Sequence, residues 1–356
     1  MSIHSSVPTG VLVGRFARAM GVARADPLGA EAFAVGKGWH LSTPAVTAAL
    51  KGLIGPVDAE ALSGLRAVGR DFATLLRPMT ILGRLQGLRR VPFRVRMTRA
   101  DAGTGAAWAG EAVPIPVSAL TLNDGGEQLL PLKAGGIATI TSELVRSSDP
   151  IADALVAADI AAAVAAAMDA AFIDPANSGI DDVKPASVTA GAQQFESSGA
   201  GVAAIDADLA GMLDVLTDAN LDLASAAWVM TARSATNLAL MRTGNGGPAF
   251  PGMTARGGML CGLPVITSRA CEASGSPGER SVVLLQASEI LLADDGESEI
   301  SVSGDAALQM DDAPADGGQQ VVSLWQNGLV GVRALRMVNW KPRRSGAVAT
   351  LRSVQY

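Results

Sequence analysis

The sequence predicts an α+β protein, and three observations carry that prediction. Residues 150–172 read as one long helix. Residues 91–97 alternate apolar and polar side chains, as a half-buried strand does. Residues 198–300 run as helix, strand, helix and further strands separated by Gly- and Pro-rich turns, without the regular βαβ succession of a doubly wound fold.

The elements follow in chain order. Residues 1–75 are alanine-rich and punctuated by Gly and Pro. Pro27, Pro44 and Pro56 stand where a first helical turn accepts proline, so three or four short helices are expected, as an arm, a small helical domain or a removable segment. Val91, Phe93, Val95 and Met97 face one way and Pro92, Arg94, Arg96 and Thr98 the other. Together with Arg89, Arg90 and Arg99 they make a basic strip. A glycine-rich excursion follows: 117–122 reads as a strand, Asn123-Asp124-Gly125-Gly126 as a tight turn, and 129–141 as the return strand. It holds too few apolar residues for a core of its own, so it is expected to project onto a partner.

Asp149 can cap the next helix and Pro150 open it. Val156, Ile160, Val164, Met168 and Phe172 then recur at four-residue steps, with Ile151 and Leu155 beside them, over roughly 35 Å. In the second unit we expect helices at 206–220 and 234–241 and strands at 226–231, 263–267 and 281–285. Asp294-Asp295-Gly296 reads as a turn between short strands at 290–292 and 300–302, and 321–340 closes the fold as extended apolar chain.

Composition removes several functions. The 356 residues are 49% hydrophobic and 17% charged, yet no uninterrupted apolar run approaches the roughly 18 residues of a membrane span. A balance of 28 basic against 34 acidic residues gives −6, against a dedicated nucleic-acid binder. Two cysteines, Cys261 and Cys271, cannot build a disulfide framework, which points to a reducing compartment and packed thiols. Only His4 and His40 exist, so a histidine triad or an HExxH zinc site has no residues to draw on. The opening lacks a charged region before an apolar core and is not read as a secretory signal.

Three motifs remain. Gly199-Ala200-Gly201-Val202-Ala203-Ala204 has the Gly-x-Gly-x-x-Ala shape of a pyrophosphate cradle, but 193–198 does not read as an apolar strand, so a linker is favoured. Asp294-Asp295 and Asp311-Asp312 lack a third spaced oxygen ligand and read as solvated turns. His40 beside Trp39 is a surface or packing residue. Neither a catalytic site, a cofactor nor a metal is expected. The arginines suit the carboxylates of a neighbouring subunit better than nucleic acid, and the whole suits a self-associating structural component.

Ordered segments carry a family resemblance: 75–84 (LLRPMTILGR), 89–93 (RRVPF), 107–111 (AWAGE) with 114–118 (PIPVS), 142–146 (SELVR) with 148–150 (SDP), 257–260 (GGML) with 262–265 (GLPV), 308–314 (LQMDDAP) and 323–327 (SLWQN). Over about residues 70–350 the chain resembles the tailed-phage (Caudoviricetes) major capsid proteins of the Hong Kong 97 type, in the short prophage-like form. The resemblance implies an N-terminal helical arm or scaffolding-like segment (1–75) and a peripheral domain with a long spine helix (76–99, 135–197 and 306–350). It also implies an extended loop (100–134) reaching over an adjacent subunit and an axial domain (198–305), with 244–258 a candidate axial loop. Such a subunit forms hexamers and pentamers of an icosahedral shell around double-stranded DNA. It resides in the virion after assembly in the host cytoplasm, with portal and prohead protease as further partners and no membrane. Arg89, Arg90, Arg94, Arg96, Arg99, Trp108 and Glu111 are the interface candidates. The namesake joins a loop lysine to a neighbour's asparagine, but no lysine lies between Arg96 and Leu132 here, and Lys133 stands at the loop's base. A shell without covalent cross-links is therefore expected. The alternatives are an encapsulin-type compartment and, less favoured, a nucleotide-binding enzyme using 199–204.

Overall fold

The computed structural model describes residues 8–54, 59–95, 98–102, 121–124, 128–143, 150–272, 279–310 and 321–356. The chain begins with five helices, one or two more than expected: α1 (Val11–Val22), α2 (Pro27–Gly36), α3 (Trp39–Ser42), α4 (Pro44–Lys51) and α5 (Ala59–Leu76). Pro27 and Pro44 do open helices, and the Asp26 carboxylate accepts the N–H groups of Leu28 and Gly29. Pro56 lies outside the described residues. α1 has no local side-chain cap; Asp71 of α5 accepts the N–H groups of Gly10 and Leu12 at 2.9 and 3.0 Å instead.

After α6 (Ile81–Arg84) and β1 (Arg89–Arg90) the expected strand at 91–97 does not form. Pro92 has no N–H to donate, residues 93–94 turn, and Arg94 adopts φ 61°. Val91 and Phe93 still pack inward, against Leu129, Leu291 and Ala293. The excursion is also paired differently from the expectation. β2 (Thr98–Ala102) runs antiparallel to β3 (Thr121–Asp124), with Arg99 opposite Asn123, so Asn123-Asp124 belongs to a strand rather than to a turn. β4 (Leu132–Thr141) instead pairs along its whole length with a later strand.

α7 (Pro150–Ile173) is the long helix, one residue beyond the expected end; its proposed cap Asp149 lies outside the described residues. Ile160, Val164, Met168 and Phe172 are buried, but Leu155 is exposed rather than part of the stripe. Contrary to the sequence expectation, Leu155–Ile173 is long and apolar enough by length and composition to cross a membrane. Here one side of it lies in the protein core, where Phe172 meets Trp340 edge to face at 5.4 Å.

The remaining elements are β5 (Gln193–Glu196), α8 (Val202–Asp218), β6 (Ala226–Met230), α9 (Ala232–Leu240), β7 (Met253–Thr254), β8 (Gly257–Leu260), β9 (Leu263–Thr267), β10 (Val282–Gln286), β11 (Ile290–Ser303), β12 (Ala307–Gln309), β13 (Val321–Ser323), β14 (Leu329–Pro342) and β15 (Val348–Arg352). A four-stranded sheet runs β1-β11-β14-β4 and a seven-stranded sheet β5-β15-β10-β6-β9-β8-β7. Asp294-Asp295-Gly296 is a bulge inside one long strand rather than a hairpin turn. Both halves of β11 pair with β14, the register slipping between Asp294 and Ser298, and Gly296 supplies φ 71°. Even-numbered residues of β14 from Val330 to Trp340 point into the core, where α1, α5 and α7 cover that face of the sheet. α8 lays Ile205, Leu209, Met212 and Leu216 against Trp228, Leu284 and Leu351 of the seven-stranded sheet. At about 1.5–3 kcal/mol for each fully buried large side chain, these two layers dominate the folding energy.

The chain passes between the sheets three times: from β4 to β5 through α7, from β10 to β11 through the single turn Ala287–Glu289, and from β14 to β15 through residues 343–347. Glu289 ties the last two together: its carbonyl accepts the Arg343 N–H at 2.7 Å, and its carboxylate meets Arg343 and Arg344 at 3.4 and 3.5 Å.

Candidate assembly surface

Arg89 and Arg90 extend the four-stranded sheet at its edge, parallel to Leu291 and Leu292, with both side chains exposed. Arg94 follows on the exposed turn. None of these three guanidinium groups has an ion-pair partner among the described residues, so the structure brings together an unneutralised basic edge. Arg99 lies on β2 at the base of the excursion. Arg96, Trp108 and Glu111 lie outside the described residues.

Other arginines are spent inside the subunit. Arg336 of β14 reaches Asp294 in the β11 bulge at 2.7 Å, both side chains about a tenth exposed. Arg66 and Arg70 of α5 flank Glu297 in the same bulge at 3.6 and 3.7 Å. Sequence reasoning missed this use of the bulge, because its partners are spread along more than two hundred residues. The exposed apolar surface includes Leu41, Leu155, Leu240, Met259 and Trp325, the last two-thirds exposed. Large side chains standing in water at several separate places suit a molecule with several neighbours.

Asp169 is the buried acid of α7. One carboxylate oxygen accepts the Ile81 N–H at 2.8 Å and the other the Ser268 hydroxyl at 3.0 Å, tying the helix to α6 and to the end of β9. Burial pushes its pKa up to about 6, against the pull of those hydrogen bonds and of Arg84. The neighbouring Cys271 thiol is pushed up to about 12, chiefly by burial. Asp169, but not Cys271, lines a cleft of about 1090 Å³ together with Arg84, Arg269, Arg280, Arg352 and Glu272. A sequence signal existed: Asp169 is flanked at i−4, i+3 and i+4 by Ala165, Phe172 and Ile173, all buried, which leaves a carboxylate on an apolar face.

The motifs weighed against catalysis have clear structural roles. A strand, β5, does precede Gly199, and it is a polar edge strand rather than an apolar one, in line with the sequence reading of 193–198. The loop is nonetheless closed by an acid: Asp208 accepts the Ser198 N–H and the hydroxyls of Ser197 and Ser198, placing negative charge where a phosphate would need donors. Cys271 is buried and Cys261 exposed, and both are free thiols. His40 is exposed beside the buried Trp39. Among the described residues no cluster of three or more His, Cys, Asp or Glu could hold a metal.

Comparison with known proteins is consistent with this picture. The capsid polyprotein of Pseudomonas phage PAJU2 is 38% identical over 298 residues, covering 82% of this chain and 44% of the relative. The major capsid protein of Klebsiella oxytoca phage phiKO2 is 26% identical over 249 residues, covering 67% and 56%. The chain thus spans about half the length of the curated relatives it matches. A solved structure from Gordonia phage Cozz superposes with a TM-score of 0.54 at 16% identity, covering 79% of this chain and 87% of that one. One from Mycobacterium phage Ogopogo gives 0.54 at 15%, covering 77% and 92%. These likenesses place the α+β architecture among Hong Kong 97-type folds. The sequence profile described as "Phage capsid family" matches residues 75–353, and with more than three-quarters of its length inside that match the chain belongs to the phage capsid family.

Proposed function

We propose that this chain is a major capsid protein, the structural subunit that self-assembles as hexamers and pentamers into the icosahedral shell of a phage virion, with no catalytic step of its own. The observation that carries the reading is the family match over 75–353, on a fold whose basic edge and scattered exposed apolar side chains are left for neighbours. Assembly takes place in the host cytoplasm, and the finished shell encloses double-stranded DNA without base-specific contacts. The net charge of −6 keeps packed DNA from adhering to the wall. Portal and prohead protease are the further partners of this reading.

In the same reading the four-stranded sheet with α7 is the peripheral unit and the seven-stranded sheet with α8 the axial unit, which shifts β11 out of the axial segment expected at 198–305 and brings β5 and β15 into it. Of the expected loop 100–134, Leu129 and the start of β4 are built into this subunit, so the part that reaches over an adjacent subunit in this reading is the excursion between β2 and β3. Arg89, Arg90, Arg94, Arg96 and Arg99 meet carboxylates there, with Trp108 and Glu111 on the loop. Specific interfaces of this kind bury on the order of 800 Å² per partner. Negative-stain microscopy and sedimentation of the purified protein test the proposal: closed shells of uniform size are expected. A monomer that persists at high concentration overturns it, and shells filled with a protein cargo turn it toward a compartment.

A further inference from the structure

Residues 8–54 and 59–76 lie almost wholly outside the family match, which begins at 75, yet they are built into the core. Val13, Phe16, Phe72 and Leu76 are each no more than 3% exposed and share one apolar cluster with Ile160, Val164, Val332 and Trp340. The contact is keyed by backbone as well as by side chains. A β-carbon at Gly69 would overlap the carbonyl oxygen of Ser298, so α5 closes directly on the β11 bulge. A β-carbon at Gly64 would overlap backbone atoms of α4. Arg66 and Arg70 meet Glu297 from the same helix face, and Asp71 caps α1. The bulge is thus a socket and α5 its plug.

We propose that residues 8–76 are a permanent helical layer of the subunit, retained when the shell forms, and that the Asp294–Ser298 bulge exists to hold it. Removing the layer would bare the core face of α7 and β11 to water. The inference rests on the shell reading only for the word shell; the docking itself is a property of the single chain.

Two measurements test it. Mass spectrometry of subunits from mature particles is expected to find residues 8–76 still attached; a chain beginning near residue 77 overturns the proposal. Hydrogen exchange of the unassembled whole chain is expected to protect the α1 and α5 amides to within about tenfold of those in α7, and exchange at free-chain rates there overturns it independently of assembly. Glu297→Lys, which repels Arg66 and Arg70, is expected to speed exchange in α1 and α5 severalfold while β6 and β10 stay unchanged. Equal acceleration throughout would show a general loss of stability and overturn the socket.

Discussion

Arg336 Nη2 lies 2.7 Å from Asp294 Oδ2, across the point where β11 slips its register against β14. The other oxygen of Asp294 accepts the Gly296 N–H at 3.0 Å, so one carboxylate both shapes the bulge and neutralises a buried cation. Removing either partner leaves the other charge in a dry place. Asp294→Ala is therefore expected to cost about 3–5 kcal/mol in denaturant unfolding. Asp294→Ala with Arg336→Met is expected to recover a large part of that loss, and a double variant no more stable than the single one would show that the bulge needs the carboxylate for shape alone.

Asp169 is expected to give stability an unusual pH dependence. Its native pKa, about 6, lies above the ordinary 3.8. Between those values the folded chain holds a proton that the unfolded chain has released, so this group makes the fold more stable as pH falls from 7 toward 4.5, by about 2–3 kcal/mol at most. Asp169→Asn is expected to remove that slope in thermal melts, since an amide can still accept from Ile81. Asp169→Ala is expected to destabilise at every pH by leaving the Ile81 N–H unpaired. An unchanged slope in the Asn variant would locate the titrating group elsewhere.

The basic edge is separable from folding. Arg89→Glu with Arg90→Glu changes two exposed side chains and is expected to shift unfolding by less than about 1 kcal/mol. Assembly followed by light scattering is expected to need at least a tenfold higher protein concentration. Normal assembly would move the interface away from this edge.

Shells of this protein are expected to hold together without new covalent bonds. Lys133 sits exposed at the start of β4, and no lysine precedes it back to Arg96. Boiled detergent gels, with and without reductant, should show only the single subunit; a ladder of multiples would refute this.

Where sequence and structure agree, the signal was local. The α7 span, the Pro27 and Pro44 helix starts, and the strands at 226–230 and 263–267 are set by caps and runs within a dozen residues. What escaped was non-local pairing. The alternation expected at 91–97 held as burial only at Val91 and Phe93, Val95 being exposed and 96–97 lying outside the described residues, and it could not become a strand because Pro92 breaks the ladder. The turn chemistry of Asp294-Asp295-Gly296 marked a real irregularity, but a bulge and a hairpin ask for the same residues, and Asn123-Asp124 lies inside β3, paired with β2. β15 and β5 went unseen because their partners lie more than sixty and more than a hundred and fifty residues away, respectively. In the candidate site, Arg89 and Arg90 were legible as charges without partners, whereas Asp169 and Asp294 show their importance only through groups brought from other elements.

One apolar cluster runs between the two sheets: Val229, Val283 and Leu285 of the seven-stranded sheet share it with Val332, Ala334 and Trp340 of the four-stranded one. The contacts of Glu289 with Arg343 and Arg344 close two of the three chain crossings over that shared core. Bending one sheet against the other would therefore mean parting buried side chains as well as turning a short connection, and a close-packed interior resists that.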